Sequence, residues 1–300
     1  MPSPQNKATR WVVKKLVAPI LNADIPVTTQ RKRLNRLLGV VPMPLGVKSR
    51  PLQIRDIPAL WIDVNAKNHR VILFLHGGAY NIGSIDTHKE YAARLGRSAN
   101  ANVLLIDYRL APEHPFPAGL EDAEAAYQWL LIQGYRGENI TISGDSAGGG
   151  LALSTAMRLR DEGVELPACL CLMSPWTDLT MSGDSVRDNA KTDIMLNAQW
   201  TRQLAHNYAG PDGLANPLAS PLFGQFKGLP PMLTHAADDE ILLSDAVRVT
   251  DKAKDAGVDA SLEVYRHVWH IWHAHAGVMP ESKQAMEKMG HFIQRHANAE

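Results

Sequence analysis

Cysteine is the scarcest reactive residue in this chain: 300 residues carry two, Cys169 and Cys171. They stand two apart in the apolar run Ala168-Cys169-Leu170-Cys171-Leu172-Met173, where a strand turns both to the same side. Neighbours that close on one face do not bridge, so they read as buried thiols, which fits a reducing compartment and sets aside a disulfide framework or a thiolate metal pair. Excess charge is lacking too. Thirty-one basic residues balance thirty-one acidic ones, leaving no electrostatic footprint for nucleic acid or an anionic membrane. The one basic run, Arg31-Lys32-Arg33 with Arg36, falls on a predicted helix and reads as a solvated face. Long apolar runs are missing as well. Near the N-terminus, Lys14-Lys15 and Pro19 interrupt the stretch from Val12 to Leu21, which is too short to span a membrane and a poor secretory signal. An amphipathic helix packed on the body of the protein is expected there, and a cytoplasmic location. No repeat or low-complexity tract occurs.

What is present is rhythm. Residues 1–45 read as mixed helix with a proline-containing exit at Val41-Pro42-Met43-Pro44. Beyond about residue 50, strands and helices alternate. Residues 71–75, 102–107, 140–142, 168–174, 232–236 and 261–265 are apolar or β-branched and read as strands. Residues 71–75 form an unbroken apolar run, as in a parallel sheet buried on both faces. Residues 87–99, 120–133, 245–256 and 282–295 read as helices. The fold class is therefore α/β, a doubly wound and mostly parallel sheet. Between Asp178 and Pro231 no strong strand is visible, and an irregular insertion of that length is more often functional than idle. The expected organisation is a cap from residues 1–45 and an insertion at about 180–220, set on a catalytic body over residues 46–300.

Chemistry concentrates at Gly144-Asp145-Ser146-Ala147-Gly148, which follows the strand-like Ile140-Thr141-Ile142-Ser143 and precedes a helical stretch. Strand, tight turn and helix are the setting of a nucleophile elbow, where a strained turn projects one side chain and small neighbours let the backbone double back. Upstream, Leu75-His76-Gly77-Gly78-Ala79-Tyr80 follows the strand at 71–75. Its glycines let free N–H groups approach an oxygen, as in an oxyanion loop, and the N–H of Ala147 would complete the hole.

His76-Gly77-Gly78-Ala79-Tyr80 together with Gly144-Asp145-Ser146-Ala147-Gly148-Gly149 resembles the hormone-sensitive-lipase family of α/β-hydrolases. The linking segment from Asp107 to Ala118 and the stretch Ser174-Pro175-Trp176-Thr177-Asp178-Leu179 are similar to that family as well. The resemblance covers roughly residues 70–295. It implies an α/β-hydrolase fold with a helical cap, hydrolysis of carboxylic esters by a Ser-His-acid triad, and no cofactor.

On that resemblance Ser146 is the nucleophile and His270, after the strand at 261–265, is the base. The family's usual Gly-Phe after that histidine is replaced here by Ile271-Trp272, so the loop beyond the base is expected to differ. His267, His273 and His275 lie nearby. The three-residue spacing of His270 and His273 has no carboxylate or cysteine of matching spacing, so no metal is expected. For the acid, Asp238-Asp239-Glu240 follows the strand at 232–236. Counting back from Leu242 and Asp245 favours Glu240, with Asp239 the rival one residue away. Gly78, Ala79 and Ala147 are the expected oxyanion donors, with Gly77 shaping the turn. Asp145 is expected to fix the elbow, Arg109 and Glu113 to pair across the proline-rich loop, and Asp193 to lie near the rim. Tyr80, Trp200 and Tyr208 read as pocket or as packing.

The activity expected is hydrolysis of short- to medium-chain acyl esters through an acyl-enzyme, esterase rather than lipase because no long exposed apolar segment suggests interfacial binding. An amide, lactone or thioester hydrolase is the alternative, and a non-catalytic small-molecule receptor the reading from another class. The expected partner is a small-molecule ester, with no nucleic acid and no membrane span. A homodimer is compatible with the fold, though nothing in the sequence requires one.

Overall fold

The computed structural model describes residues 1–65 and 69–299. Its centre is an eight-stranded sheet in the order β1-β2-β4-β3-β5-β6-β7-β8. The strands are β1 (Lys48–Ile54), β2 (Ile57–Asp63), β3 (Val71–Leu75), β4 (Asn102–Ile106), β5 (Ile140–Asp145), β6 (Cys169–Met173), β7 (Met232–Ala237) and β8 (Ala260–Tyr265). From β4 across to β8 every pairing is parallel, while β1 and β2 join as an antiparallel hairpin at one edge. All five residues of β3, β4 and β6 are buried, because helices cover both faces.

Alternation along the strands sorts side chains into two layers. Ile72, Phe74, Cys169 and Cys171 face one layer, packed with residues of α3 (Ile85–Ala99) and α9 (Pro280–His296). Val71, Leu73 and Leu75 face the other, with α4 (Ala118–Ile132), α5 (Ala147–Asp161) and α8 (Leu243–Asp255). Each fully buried leucine or isoleucine there contributes roughly 1.5–3 kcal/mol of burial free energy. The two cysteines are buried, unbridged and on the same side of β6.

Over the carboxyl ends of the strands lie α1 (Pro4–Val12), α2 (Val27–Leu38), the short α6 (Ser185–Asp188) and α7 (Ala198–Gly213). Helix α1 starts on a Ser3 cap and runs on through a π turn over Val13–Val17. The N-terminal helices and the insertion are locked together. The Trp200 indole donates to Gln30 Oε1 at 2.9 Å, a buried bond between α7 and α2, and Gln30 in turn donates to the carbonyls of Asn22 and Ile25.

Two expectations from the sequence are corrected here. Arg31 is not part of a solvated face. Its guanidinium donates to the carbonyls of Asn81 and Ala111 and to Glu113, fastening α2 to the body. Consequently Glu113 does not pair with Arg109, which binds Asp122 and Glu121 instead. The outer surface near the N-terminus carries apolar groups, since Trp11, Val12 and Leu16 are exposed.

Candidate active site

The elbow turns where β5 meets α5. Ser146 sits at φ 52°, ψ −122°, a region that a non-glycine residue enters only when its surroundings force it. The forces are visible. The Ser146 N–H donates to the Met173 carbonyl at 2.8 Å, and its own carbonyl accepts from Trp176 at 2.9 Å and Gly149 at 3.0 Å. Gly148 is required by close approach, since a Cβ there would lie 2.0 Å from the Leu75 carbonyl oxygen. The elbow therefore presses directly against the end of β3, from which the His76–Tyr80 loop departs.

That loop adopts three successive left-handed residues, Gly78 (φ 118°), Ala79 (φ 52°) and Tyr80 (φ 60°). Asp145 joins it to the elbow: its fully buried carboxylate accepts the Gly77 N–H at 3.0 Å. Despite that burial, which alone would raise it, the Asp145 carboxyl is held below the ordinary range by His88, Tyr91 and His76. The Gly77 N–H is thus committed to Asp145. Among the described residues the Gly78 and Ala79 N–H groups have no protein acceptor, and the Ala147 N–H, in the first turn of α5, has no intrahelical one.

Of the three adjacent acids after β7, Glu240 is the one against the histidine. His270 Nδ1 and Glu240 Oε2 are 2.7 Å apart, both side chains almost wholly buried. The second glutamate oxygen accepts the Ala237 N–H at 2.9 Å, which fixes its rotamer. Asp239 points away and pairs with Arg10 of α1 at 2.9 Å, both half-exposed. Asp238 accepts the His267 N–H.

The buried histidines separate electrostatically. Burial pushes His76 and His235 down to about 3 and His275 to about 4, and it also pushes His273 well below the ordinary value, with His88 adding to it at His76, Lys288 at His235, and His235 and His270 at His273, so these rings are neutral. Burial pulls on His270 in the same direction. There the hydrogen bond and charge of Glu240, helped by Asp193 and Asp145, outweigh it and hold the imidazole above its ordinary value of 6.5. His273 meets His235 at 3.2 Å, fully buried rather than at the surface.

The acid loop is stitched to the insertion. Asp193 accepts the N–H groups of Met195 and Leu196 through one oxygen and of Ile241 through the other, all at 2.8–2.9 Å. Asn189 donates to the carbonyls of Asp238 and Glu240, and Ser185 to that of Ile241. Burial raises the Asp193 carboxyl, countered by His270 and those three N–H groups. Replacing Asp193 with alanine strands the three donors and is expected to cost roughly 2–4 kcal/mol of stability, read as a shift in urea midpoint. Asp193→Asn retains an oxygen for the Met195 and Leu196 pair and is expected to lose less. An alanine variant as stable as the parent would mean that those donors are satisfied by other groups. Asp245 plays a related part that sequence reasoning used only to set the register: it accepts the Thr177 and Asp178 N–H groups from full burial, which lifts its carboxyl to about 7.

Ser146, His270, Gly77, Gly78 and Ala79 line one cavity of about 90 Å³, walled by apolar groups including Leu21, Leu34, Ile82 and Trp200. A second, of about 270 Å³, adjoins it on the His270 side, lined by Val13, Val41, Trp269 and Val278 but not by Ser146 or the glycine loop. Ile271 lines both. It sits at φ 50°, ψ 36°, left-handed geometry that is unfavourable for a β-branched residue, so the loop after His270 does carry a strained side chain where the related pattern has glycine. Trp200 faces the smaller cavity, whereas Tyr80 and Tyr208 stack on each other at 3.8 Å and line neither. A larger groove elsewhere, near Arg109 and Arg158, has those charges already paired with Asp122 and Glu124.

A family profile described as alpha/beta hydrolase fold matches residues 72–274. An acetyl-hydrolase of Streptomyces hygroscopicus is 40% identical over 235 residues, covering 78% of this chain and 79% of the relative. An esterase of Acinetobacter venetianus is 35% identical over 285 residues, with 95% and 94% covered. The crystal structure of an esterase from the bacterial hormone-sensitive lipase family superposes with a TM-score of 0.94 at 38% identity, with 99% of both chains covered. The chain belongs to the α/β-hydrolase-fold family. Within it, the chain falls with the esterases of the hormone-sensitive-lipase type.

Proposed function

We propose that the protein is a serine carboxylesterase in which Ser146, His270 and Glu240 form the triad and Gly78, Ala79 and Ala147 hold the oxyanion. The observation that carries this reading is the buried 2.7 Å contact between His270 and Glu240 in the cavity that Ser146 enters from its strained turn. His270 Nε2 takes the Ser146 hydroxyl proton as Oγ attacks the ester carbonyl. The three N–H groups receive the developing negative charge. Collapse of the tetrahedral adduct breaks the ester C–O bond, and His270 returns the proton to the departing alcohol. Water then attacks the acyl-serine by the same route in reverse, releasing the acid and regenerating Ser146. Residues 1–45 and about 180–220 act as the cap over the catalytic body.

The direction of proton return orients the substrate. The leaving alcohol must lie on the His270 side, so it belongs in the larger cavity, and the acyl chain in the smaller one beside the glycine loop. Short acyl groups on sizeable apolar alcohols are the substrates that fit. Turnover of p-nitrophenyl esters from acetate to decanoate tests this, with an expected optimum among the short chains. Ile271→Gly, which removes one of the side chains that line both cavities, is expected to move that optimum to longer chains. An optimum at decanoate in the unmodified protein would overturn the assignment of the cavities.

A further inference from the structure

The zero net charge conceals a division. Residues 1–47 contain eight basic residues and one acidic, so the remainder of the chain carries the compensating negative excess. Of those eight, Arg10 and Arg31 are tied to Asp239 and Glu113. Lys7, Lys14, Lys15, Lys32, Arg33 and Arg36 are exposed and have no acidic partner among the described residues.

The first helical segment, residues 4–17, combines this charge with exposed apolar groups. Asn6, Val13 and Val17 point inward, and the latter two line the larger cavity. The opposite side presents Trp11 at 61% exposure, Leu16 at 49% and Val12 at 40%, with Lys7, Lys14 and Lys15 among them. Val40, Val41, Leu45 and Val278 are also exposed, and Val41 and Val278 line that same cavity, so its mouth has an apolar rim. Solvent-facing tryptophan and aliphatic groups interleaved with lysines are the composition of a helix that lies in a lipid–water interface. The lysine ammonium groups reach anionic headgroups while their methylene stems and the indole enter the acyl boundary.

We infer that the N-terminal segment, through Trp11, Val12, Leu16 and the adjacent lysines, docks this protein on an anionic lipid surface, with the mouth of the larger cavity beside the bilayer. A second copy of the chain is a poorer occupant, because a symmetric contact would bring two strongly basic segments together. Docking of this kind is independent of the catalytic assignment, since binding requires no turnover.

The test is flotation of the full chain with vesicles of phosphatidylcholine alone and with 30% phosphatidylglycerol. The protein is expected to float with the anionic vesicles at low salt, to remain behind with neutral ones, and to be released by 0.5 M NaCl. Each lysine near an anionic surface is worth about fivefold in partition. Lys14→Glu with Lys15→Glu is therefore expected to weaken binding by roughly 25-fold or more. Trp11→Ser with Leu16→Ser is expected to weaken the low-salt binding by roughly tenfold or more, since the indole and the leucine no longer enter the acyl boundary. Neither pair lines the cavities, so turnover of soluble p-nitrophenyl acetate should be unchanged and reports intact folding. No flotation with anionic vesicles, equal flotation with neutral ones, or variants that float like the parent would each overturn the proposal. So would a concentration-dependent dimer that the Trp11/Leu16 variant loses, since it would assign the face to self-association.

Discussion

Ser146→Ala is expected to lower kcat on p-nitrophenyl butyrate by roughly a million-fold while leaving the fold intact. The change removes one oxygen and nothing that holds the elbow. The turn is fixed by backbone bonds to Met173, Trp176 and Gly149 and by the close approach of Gly148 to Leu75, none of which involves the Ser146 hydroxyl. The circular dichroism and the unfolding midpoint should match the parent, so lost activity reports lost chemistry. A sulfonyl fluoride gives a second readout. It should add one label per chain to the parent and none to the variant, because the reaction needs the same hydroxyl and the same base. A variant that keeps activity within tenfold of the parent would remove Ser146 from the reaction and return the Gly-rich turn to a purely structural part. A variant that loses activity but still takes up one label would place the reactive hydroxyl elsewhere.

The parts of the site that were legible in the sequence are those where backbone geometry dictates residue type. A turn that presses within contact of a neighbouring strand admits only small residues, so the elbow is visible in one dimension. The buried parallel strands announce themselves as apolar runs for the same kind of reason. The hairpin β1–β2 was hidden because prolines interrupt its pattern: Pro51 stands in the edge strand β1, which tolerates it, and Pro58 stands near the start of β2, one residue before the register with β4 begins at Ala59. Contacts between distant segments were beyond reach. Arg31 finds Glu113 across 82 positions, and Asp193 reaches Ile241 across 48. Neither spacing has a period or motif to betray it. The basic character of the N-terminal helices was present in the composition all along, but a whole-chain sum cancels it.

The pair Glu240→Gln and Asp239→Asn gives the sharpest separation. In the parent, Glu240 holds Ala237 N–H with one oxygen and His270 Nδ1 with the other. A glutamine at this position satisfies Ala237 with its carbonyl oxygen, which turns its amide NH₂ toward Nδ1. A donor facing Nδ1 favours the tautomer that carries its proton on Nε2, where it cannot accept one from Ser146. The expected loss is about 10⁴-fold in kcat. The pH profile should move as well. As the proposed base, His270 can act only when neutral, so activity is expected to fall as pH drops through its pKa. Burial lowers that pKa and Glu240 more than restores it, which puts the acid limb of the parent above 6.5. With the carboxylate charge gone, burial dominates and the limb should shift downward in the residual activity of the glutamine variant. Asp239→Asn removes only a half-exposed ion pair with Arg10, a contact worth about 0–1 kcal/mol, and should leave kcat within about threefold and the pH profile in place. The opposite pattern, with Asp239→Asn inactive and Glu240→Gln near normal, would make Asp239 the acid and require the loop after β7 to be rearranged in the working enzyme.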